Sequence, residues 1–376
     1  MSKIIYLGHF ADGQEKRNVS PAGVTMMNYI IESINAAGYD LTVLSPAGLS
    51  GNETGPRVVR RLNPQTTCVY LPTSPKSPRW MLPARLKDRS SRRHALEQEL
   101  ERSVQDGDTL VVYHSTTLMD AVAKLRKKRD FRLVLQVCEI YSDVTMAGKR
   151  AREREIKAIR EADRYIFSTG ALARAFHGGK EYAICLGTYK TPGNSCDRKN
   201  EGIHVVYSGT LDPRKGSLTT IEAARFLPKG YHMHILGFGD EEQIRTVRER
   251  VRDVSLKTEA TVTYGGVLLG EEYTGFLQSC HIGLSTQDPC ASFNATSFPS
   301  KILSYMSNGL RVVSIRIPAI ETSEVGQYMY YYDEQTPEEI AKAIMAVDLK
   351  DAYDPRAVLD GMDRRFRDAV RDLLEP

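Results

Sequence analysis

Cations set beside free backbone N–H groups are the clearest chemistry this sequence offers, and they occur twice in its second half. In SFPSKILSYMSNG (297–309), Pro299 suits the first helical position, where a missing N–H costs nothing. Ile302, Leu303 and Met306 recur at helical spacing, and Gly309 supplies the stop before the apolar strand RVVSI (311–315). The start of that helix gathers the hydroxyls of Thr296, Ser297 and Ser300 and the cation Lys301, a setting that attracts phosphate. A capped helix feeding an interior strand is the plain alternative, and the stretch alone supports both. In YSGTLDPRKG (207–216), a strand passes through a tight turn with Gly209 to the pair Arg214 and Lys215 at a helix start. That arrangement suits a diphosphate, although basic helix starts also arise by chance.

Three further places carry reactive groups. His114 ends the apolar run TLVVYH (109–114), and Glu139 ends RLVLQVCE (132–139), followed by Tyr141 and Asp143. The carboxyl ends of parallel strands are where α/β sheets bind ligands. Glu139 and Asp143 are placed either to orient substrate hydroxyls or to cap the next helix. In HILGFGDEEQI (234–244), Gly237 and Gly239 either keep the backbone low beside a nucleotide or make a tight turn from strand to helix.

The elements that must position these residues follow an α/β rhythm. KIIYLG (3–8), a polar loop ending at Ser20-Pro21-Ala22-Gly23, a helix stopped by Gly38 and YDLTVLSP (39–46) open a parallel layer. The loop lacks GxGxxG, so a dinucleotide is not indicated. CVYLP (68–72), the polar helix ALEQELERSV, the two strands above, a charged helix over 149–163, RYIFST (164–169) and EYAICLG (181–187) complete the series. In the charged helix, Ile156 and Ile159 point inward and the Glu/Arg pairs form a solvated face. Polar residues with Pro and Gly over 191–202 break the pattern, and a second series of alternating strands and helices follows. The expected organisation is a first domain over 1–190, a linker over 191–202, a second domain over 203–353 and a terminal helix over 354–376.

Length and composition fit this plan: 376 residues suffice for two cores, and the charged and apolar fractions are those of a globular protein. The six cysteines form no CxxC pair and read as small buried hydrophobes in a reducing compartment. MSKIIYLGHF is too short and polar for a signal peptide, and no apolar run is long enough to cross a bilayer. A cytoplasmic protein is expected, with peripheral contact at the inner membrane face as a variant. That variant rests on the basic stretch 76–93, where Lys76, Arg79, Arg85, Lys87, Arg89, Arg92 and Arg93 frame Trp80, Met81 and Leu82. Such a tip suits an anionic membrane, and a solvated helix face would read the same way. A second cluster spans Lys124 to Arg129. No RNP, helix-turn-helix or zinc pattern accompanies the charge, so nucleic acid is not expected.

SFPSKILSYMSNG and YSGTLDPRKG, with GFG and VTYGGV (262–267) between them, resemble in order and spacing the nucleotide-sugar site of retaining GT-B glycosyltransferases of family 4. The first half resembles that family in layout only. The resemblance implies two Rossmann-like parallel-sheet domains facing each other across a cleft. The implied activity is metal-independent transfer of a sugar from a nucleotide-diphosphate donor, UDP-sugar foremost, to a glycan or polyprenyl-diphosphate-linked acceptor in polysaccharide assembly. It places Gly209, Arg214, Lys215, Ser297, Ser300 and Lys301 on the diphosphate, and Gly237, Gly239, Tyr264, Gly265 and Ser304 on the nucleotide. It also places His114 beside the donor sugar, Glu139 on the acceptor side and Gly23 in the cleft loop. The sequence departs from the family at Thr210, where Arg is usual, and at Thr296 and Ser304, where the family has Glu. Those departures keep a second reading open, a non-catalytic GT-B partner that binds glycan or stabilises an active transferase. A sugar-nucleotide epimerase on the same fold would need ionisable groups arranged for proton abstraction, which His114 and Glu139 alone do not provide.

Overall fold

The computed structural model describes residues 2–375 except 52, 76, 78, 79, 193–200, 292, 293 and 295. The expectations for Lys76, Arg79, Cys196 and most of the 191–202 stretch fall outside the described residues. The chain divides into two compact units, one of residues 1–186 and 364–376, the other of residues 187–363.

The first unit is built on Ile4–Leu7 (β1), Leu41–Ser45 (β2), Val58–Asn63 (β3), Thr66–Tyr70 (β4), Thr109–Tyr113 (β5), Arg132–Val137 (β6), Arg164–Phe167 (β7) and Tyr182–Ile184 (β8). They form one sheet in the order β3-β4-β2-β1-β5-β6-β7-β8, parallel except where β3 runs antiparallel to β4. The β3–β4 hairpin corrects the expectation of a single strand near 68–72. VVRRLN is polar and only half-buried, as an edge strand allows, so its apolar signal is weak. The interior strands are continuous apolar runs because helices cover both faces, and Leu7, Val112, Leu133, Leu135 and Phe167 are fully buried. The helix Pro21–Ala36 starts as its sequence dictates, with Pro21 in the first turn and the Ser20 hydroxyl accepting from the Gly23 N–H at 3.3 Å.

The helix expected over ALEQELERSV begins earlier, at Leu82, and takes in the basic stretch as far as Ser103. Trp80 is 81% and Leu86 69% exposed ahead of and within it. Three cations of the second basic cluster are paired: Lys124 with Glu97 at 2.7 Å, Lys128 with Glu101 at 2.5 Å and Arg126 with Asp163 at 2.5 Å. The helix Lys149–Arg160 corrects another expectation, since Glu155 is buried and not part of a solvated face. Cys68, Cys185 and Cys280 are buried as small hydrophobes, Cys138 is half-buried and Cys290 is exposed.

The second unit is built on Ile203–Thr210 (β9), Tyr231–Phe238 (β10), Thr261–Gly266 (β11), Ile282–Ser285 (β12), Arg311–Ile315 (β13) and Met329–Tyr332 (β14). All pair in parallel, in the order β11-β10-β9-β12-β13-β14. Helix Pro355–Leu374 starts in this unit, and its residues from Arg364 onward count with the first, where Phe366 stacks on Tyr29 at 5.5 Å.

In each sheet the chain leaves a central strand in both directions. The first unit diverges between β1 and β5, the second between β9 and β12. Such a switch point opens a crevice at the carboxyl ends, where ligands bind in α/β sheets. His114 and the loop from Gly8 to Ser20 lie at the first; residues 211–216, 286–291 and 296–300 lie at the second.

Candidate functional site

Gly209 and Gly237 are register neighbours at the carboxyl ends of β9 and β10. A Cβ on Gly237 would lie 1.9 Å from the Gly209 carbonyl oxygen, so no other residue fits without moving that strand end. A Cβ on Gly209 would lie 3.1 Å from Nζ of Lys301. The absence of side chains therefore lets the Lys301 ammonium reach the backbone at the switch point. There Nζ sits over the Tyr207 ring, 4.0 Å from its centroid. Burial, reinforced by the nearby charge of Lys215, pushes the Lys301 pKa down to about 7. Among the described residues no carboxylate pairs with it. Two cations of one sign thus converge on a spot where an anion would be stabilised.

The turn carrying Lys215 is fixed from several sides. Asp212 caps it by accepting from the Arg214 N–H at 2.9 Å, and Thr286 donates to the Gly216 carbonyl at 3.3 Å. The Asp288 N–H donates to the Arg214 carbonyl at 2.8 Å. The Arg214 guanidinium is turned onto Asp212, with Nη2 2.7 Å from Oδ2. It is therefore engaged within its own turn, whereas Lys215 acts on Lys301.

Helix Lys301–Ser307 starts two residues later than Pro299, because Pro299 and Ser300 form a turn whose carbonyls accept from Ile302 and Leu303 at 3.0 and 3.1 Å. It ends as expected at Gly309, with φ +79°. Tyr305 pins this helix to the sheet: its hydroxyl accepts from the Ser208 N–H at 2.8 Å and donates to the Leu284 carbonyl at 3.3 Å. Ser297 is half-buried and Ser300 exposed ahead of the helix, while the Ser304 carbonyl accepts from the Asn308 amide at 2.8 Å.

Beyond β10, Gly239 leaves room for the capping box of helix Glu241–Ser255, since its Cβ would lie 2.4 Å from Gln243 Oε1. Tyr264 donates to the Gly237 carbonyl at 3.0 Å. Gly265 lines a cavity of about 340 Å³ with His234, Leu236, Leu268, Glu272 and Phe276. Gly209, Gly237, Lys215, Lys301 and Tyr264 are thus drawn together, Gly239 and Gly265 flank them, and Arg214 faces Asp212.

In the first unit, His114 is fully buried just past β5. Its N–H donates to the Gln136 carbonyl at 2.9 Å and its ring stacks on Tyr141 at 5.5 Å. Burial lowers its pKa against the pull of Glu155 and of a backbone group of Glu139. Glu139 is half-buried two residues past β6, and Asp143 pairs with Arg152 at 2.6 Å. Gly23 lies in the first turn of its helix, where a Cβ would be 3.6 Å from the Tyr113 hydroxyl.

Sequence reasoning missed Tyr207, Tyr305, Asp212 and Glu155. Tyr305 had a signal, since it lies between apolar helix positions and one turn before Gly309. Glu155 had one too, standing four residues before the inward Ile159.

Residues 202–347 match the family model described as glycosyl transferases group 1. No curated protein matches the sequence. Among solved structures, the chain is similar to a UDP-forming α,α-trehalose-phosphate synthase from Burkholderia xenovorans. That match has a TM-score of 0.72 at 11% identity and covers 100% of both chains. It is similar also to a trehalose-6-phosphate protein from E. coli bound with UDP-2-fluoro glucose, with a TM-score of 0.70 at 12% identity, covering 99% of this chain and 97% of that one. A sucrose-phosphate synthase from Thermosynechococcus elongatus gives 0.69 at 15% identity, covering 100% and 95%. The fold is GT-B, and the second unit carries a glycosyltransferase domain. Among the described residues, no group of three or more His, Cys, Asp or Glu is arranged to hold a metal ion, and no helix is long and apolar enough to cross a membrane.

Proposed function

We propose that this chain moves a sugar from a UDP-linked donor to an acceptor hydroxyl with retention of anomeric configuration. The observation that carries the reading is the approach of Lys301 to Gly209 beside Lys215, at the switch point of the matched domain. A diphosphate leaving group needs fixed positive charge where its own negative charge develops, and a desolvated site makes that charge effective. Lys215 and Lys301 supply it, with Ser297 and Ser300 as donors. Tyr264 and Gly265 border the nucleotide, Ser304 the ribose, His114 the donor sugar and Glu139 the acceptor. The UDP preference draws on the UDP-forming synthase and the UDP-2-fluoro glucose complex among the similar structures.

The finer reading is a family 4 enzyme of polysaccharide assembly acting on a lipid-linked acceptor. Its support is the exposed Trp80 and Leu86 beside the exposed Lys87 and Arg89. Co-sedimentation with anionic vesicles, lost in a variant carrying Trp80→Ser, Lys87→Ser and Arg89→Ser, supports that contact; unchanged sedimentation removes it.

Calorimetric titration with UDP, GDP and ADP tests the donor reading. One nucleotide binding at micromolar to sub-millimolar concentration supports a transferase. Absence of binding by all three moves the chain to the second reading, a GT-B partner protein, which the residues Thr210, Thr296 and Ser304 favour.

A further inference from the structure

On helix Lys149–Arg160, Lys149 to Arg154, Lys157 and Arg160 are exposed, while Glu155 is 2% exposed. A carboxylate is costly to bury, and it persists where hydrogen bonds replace its water. Here they come from the backbone of a turn elsewhere in the chain: Oε1 accepts from the Tyr141 N–H at 2.7 Å and Oε2 from the Ser142 N–H at 2.8 Å. The turn Tyr141–Val144 has Ile140 at its cap position and no local side-chain cap, so Glu155 supplies one from the neighbouring helix.

Capping accounts for the two short bonds but not for the third neighbour. Glu155 Oε1 also lies 3.7 Å from Nε2 of His114, and neither ring nitrogen of His114 has a hydrogen bond of good geometry. A buried imidazole held this loosely takes its tautomer from the few polar groups that face it. The ionisable groups around it are few. Tyr113 precedes it on β5, and Tyr141 stacks on its ring. The backbone of Glu139 faces it from the segment after β6. Glu155 approaches from its helix, with Arg152 there turned onto Asp143.

We propose that Glu155 is a positioning residue for His114: one buried carboxylate fixes the 140–142 turn and, through the same oxygen, directs the Nε2–H tautomer of the imidazole. The inference rests on the reading that His114 meets the donor sugar. Tautomer choice decides which nitrogen donates and which accepts, so it decides what a sugar hydroxyl finds there. Because Tyr141 is held by the oxygen nearest His114, the position of the 138–144 segment and the state of the ring are set together.

The test uses ¹⁵N-labelled full-length protein. Imidazole ¹⁵N shifts of wild-type His114 should report the Nε2–H tautomer; an Nδ1–H tautomer would overturn the proposal without any variant. In Glu155→Gln, the pKa of His114 should fall by about one unit or more, since the favourable carboxylate charge is gone. With UDP-sugar and acceptor, kcat should fall about tenfold or more and the acid limb of its pH profile should move with His114. UDP affinity, a property of Lys215 and Lys301, should stay within about threefold, and Glu155→Asp should restore part of kcat. Equal losses of thermal stability in both variants, with the His114 titration unmoved, would reduce Glu155 to a structural cap. A wild-type chain that turns over no sugar nucleotide would refute the transferase reading, while the tautomer and the titration would still decide the pairing.

Discussion

The ammonium of Lys301 and the ring of Tyr207 face each other at 4.0 Å, a cation over a π face at the carboxyl end of the central strand of the second unit. The ring holds the charge in place but does not neutralise it, and the Lys301 pKa stays pushed down to about 7 by burial and Lys215.

A bound diphosphate reverses that pressure, since its negative charge favours the protonated amine. Free protein near pH 8 therefore holds Lys301 mostly neutral, and binding must draw in a proton. Titrations of UDP at pH 8 in buffers of different ionisation enthalpy should show proton uptake approaching one per site, and affinity should weaken as pH rises above about 7. Lys301→Met should abolish the uptake. Equal heats in all buffers would place the lysine outside the anion's reach.

Gly209 leaves open the space through which Lys301 reaches the strand end. Gly209→Ala sets a methyl 3.1 Å from Nζ, at φ +154°, where side chains are rarely accommodated. UDP affinity should fall about tenfold or more as the lysine head is pushed aside, with a moderate loss of stability of about 1–2 kcal/mol. Calorimetry and thermal melts measure the two effects separately.

Tyr305→Phe removes a buried hydroxyl that joins helix Lys301–Ser307 to β9 and β12. The Ser208 N–H then loses that acceptor, at a cost of about 1–3 kcal/mol. Thermal unfolding should report the loss. UDP binding should weaken with it, because the helix that carries Lys301 is no longer pinned.

Four histidines gather at the amino-end edge of the second sheet, and His204 and His234 among them should make it acid-sensitive. His204 Nε2 donates to the Glu201 carbonyl at 3.1 Å, so its Nδ1 accepts from His234 Nε2 at 2.9 Å, and His234 Nδ1 accepts from the Thr263 hydroxyl at 2.9 Å. His232 stacks on His204 at 4.5 Å, and His281 Nδ1 accepts from the His204 N–H at 3.0 Å. Burial lowers the pKa of His234 to about 4 and lowers that of His204 too. Glu272 shares a cavity with His234. Because His204 and His234 titrate near 6.5 in the unfolded chain, their contribution is complete above that pH and is lost as pH falls toward 4. The loss should be on the order of 1–3 kcal/mol, seen as a falling unfolding midpoint between pH 6.5 and 4 and reduced in His234→Phe.

The alternation of strands and helices was legible because interior parallel strands are apolar on both faces, as in TLVVY and RLVLQV. The edge hairpin β3–β4 was not, since VVRRLN mixes charge into a half-buried strand. At the site, Lys215, Lys301 and the glycines were readable from spacing. The engagement of Arg214 by Asp212 was not, because which way a guanidinium turns depends on the path of the turn. Glu155 was masked by composition: among exposed Glu and Arg residues, its one trace is its place four residues before the inward Ile159.

The central claim is that the second unit grips a nucleoside diphosphate through Lys215 and Lys301, and equilibrium binding of UDP compared with uridine tests it most directly. The account predicts that UDP binds at least about 100-fold more tightly than uridine, and that Lys215→Ala and Lys301→Met each remove about 1.5–3 kcal/mol of that difference. UDP and uridine binding alike, or both variants retaining wild-type affinity for UDP, would contradict it.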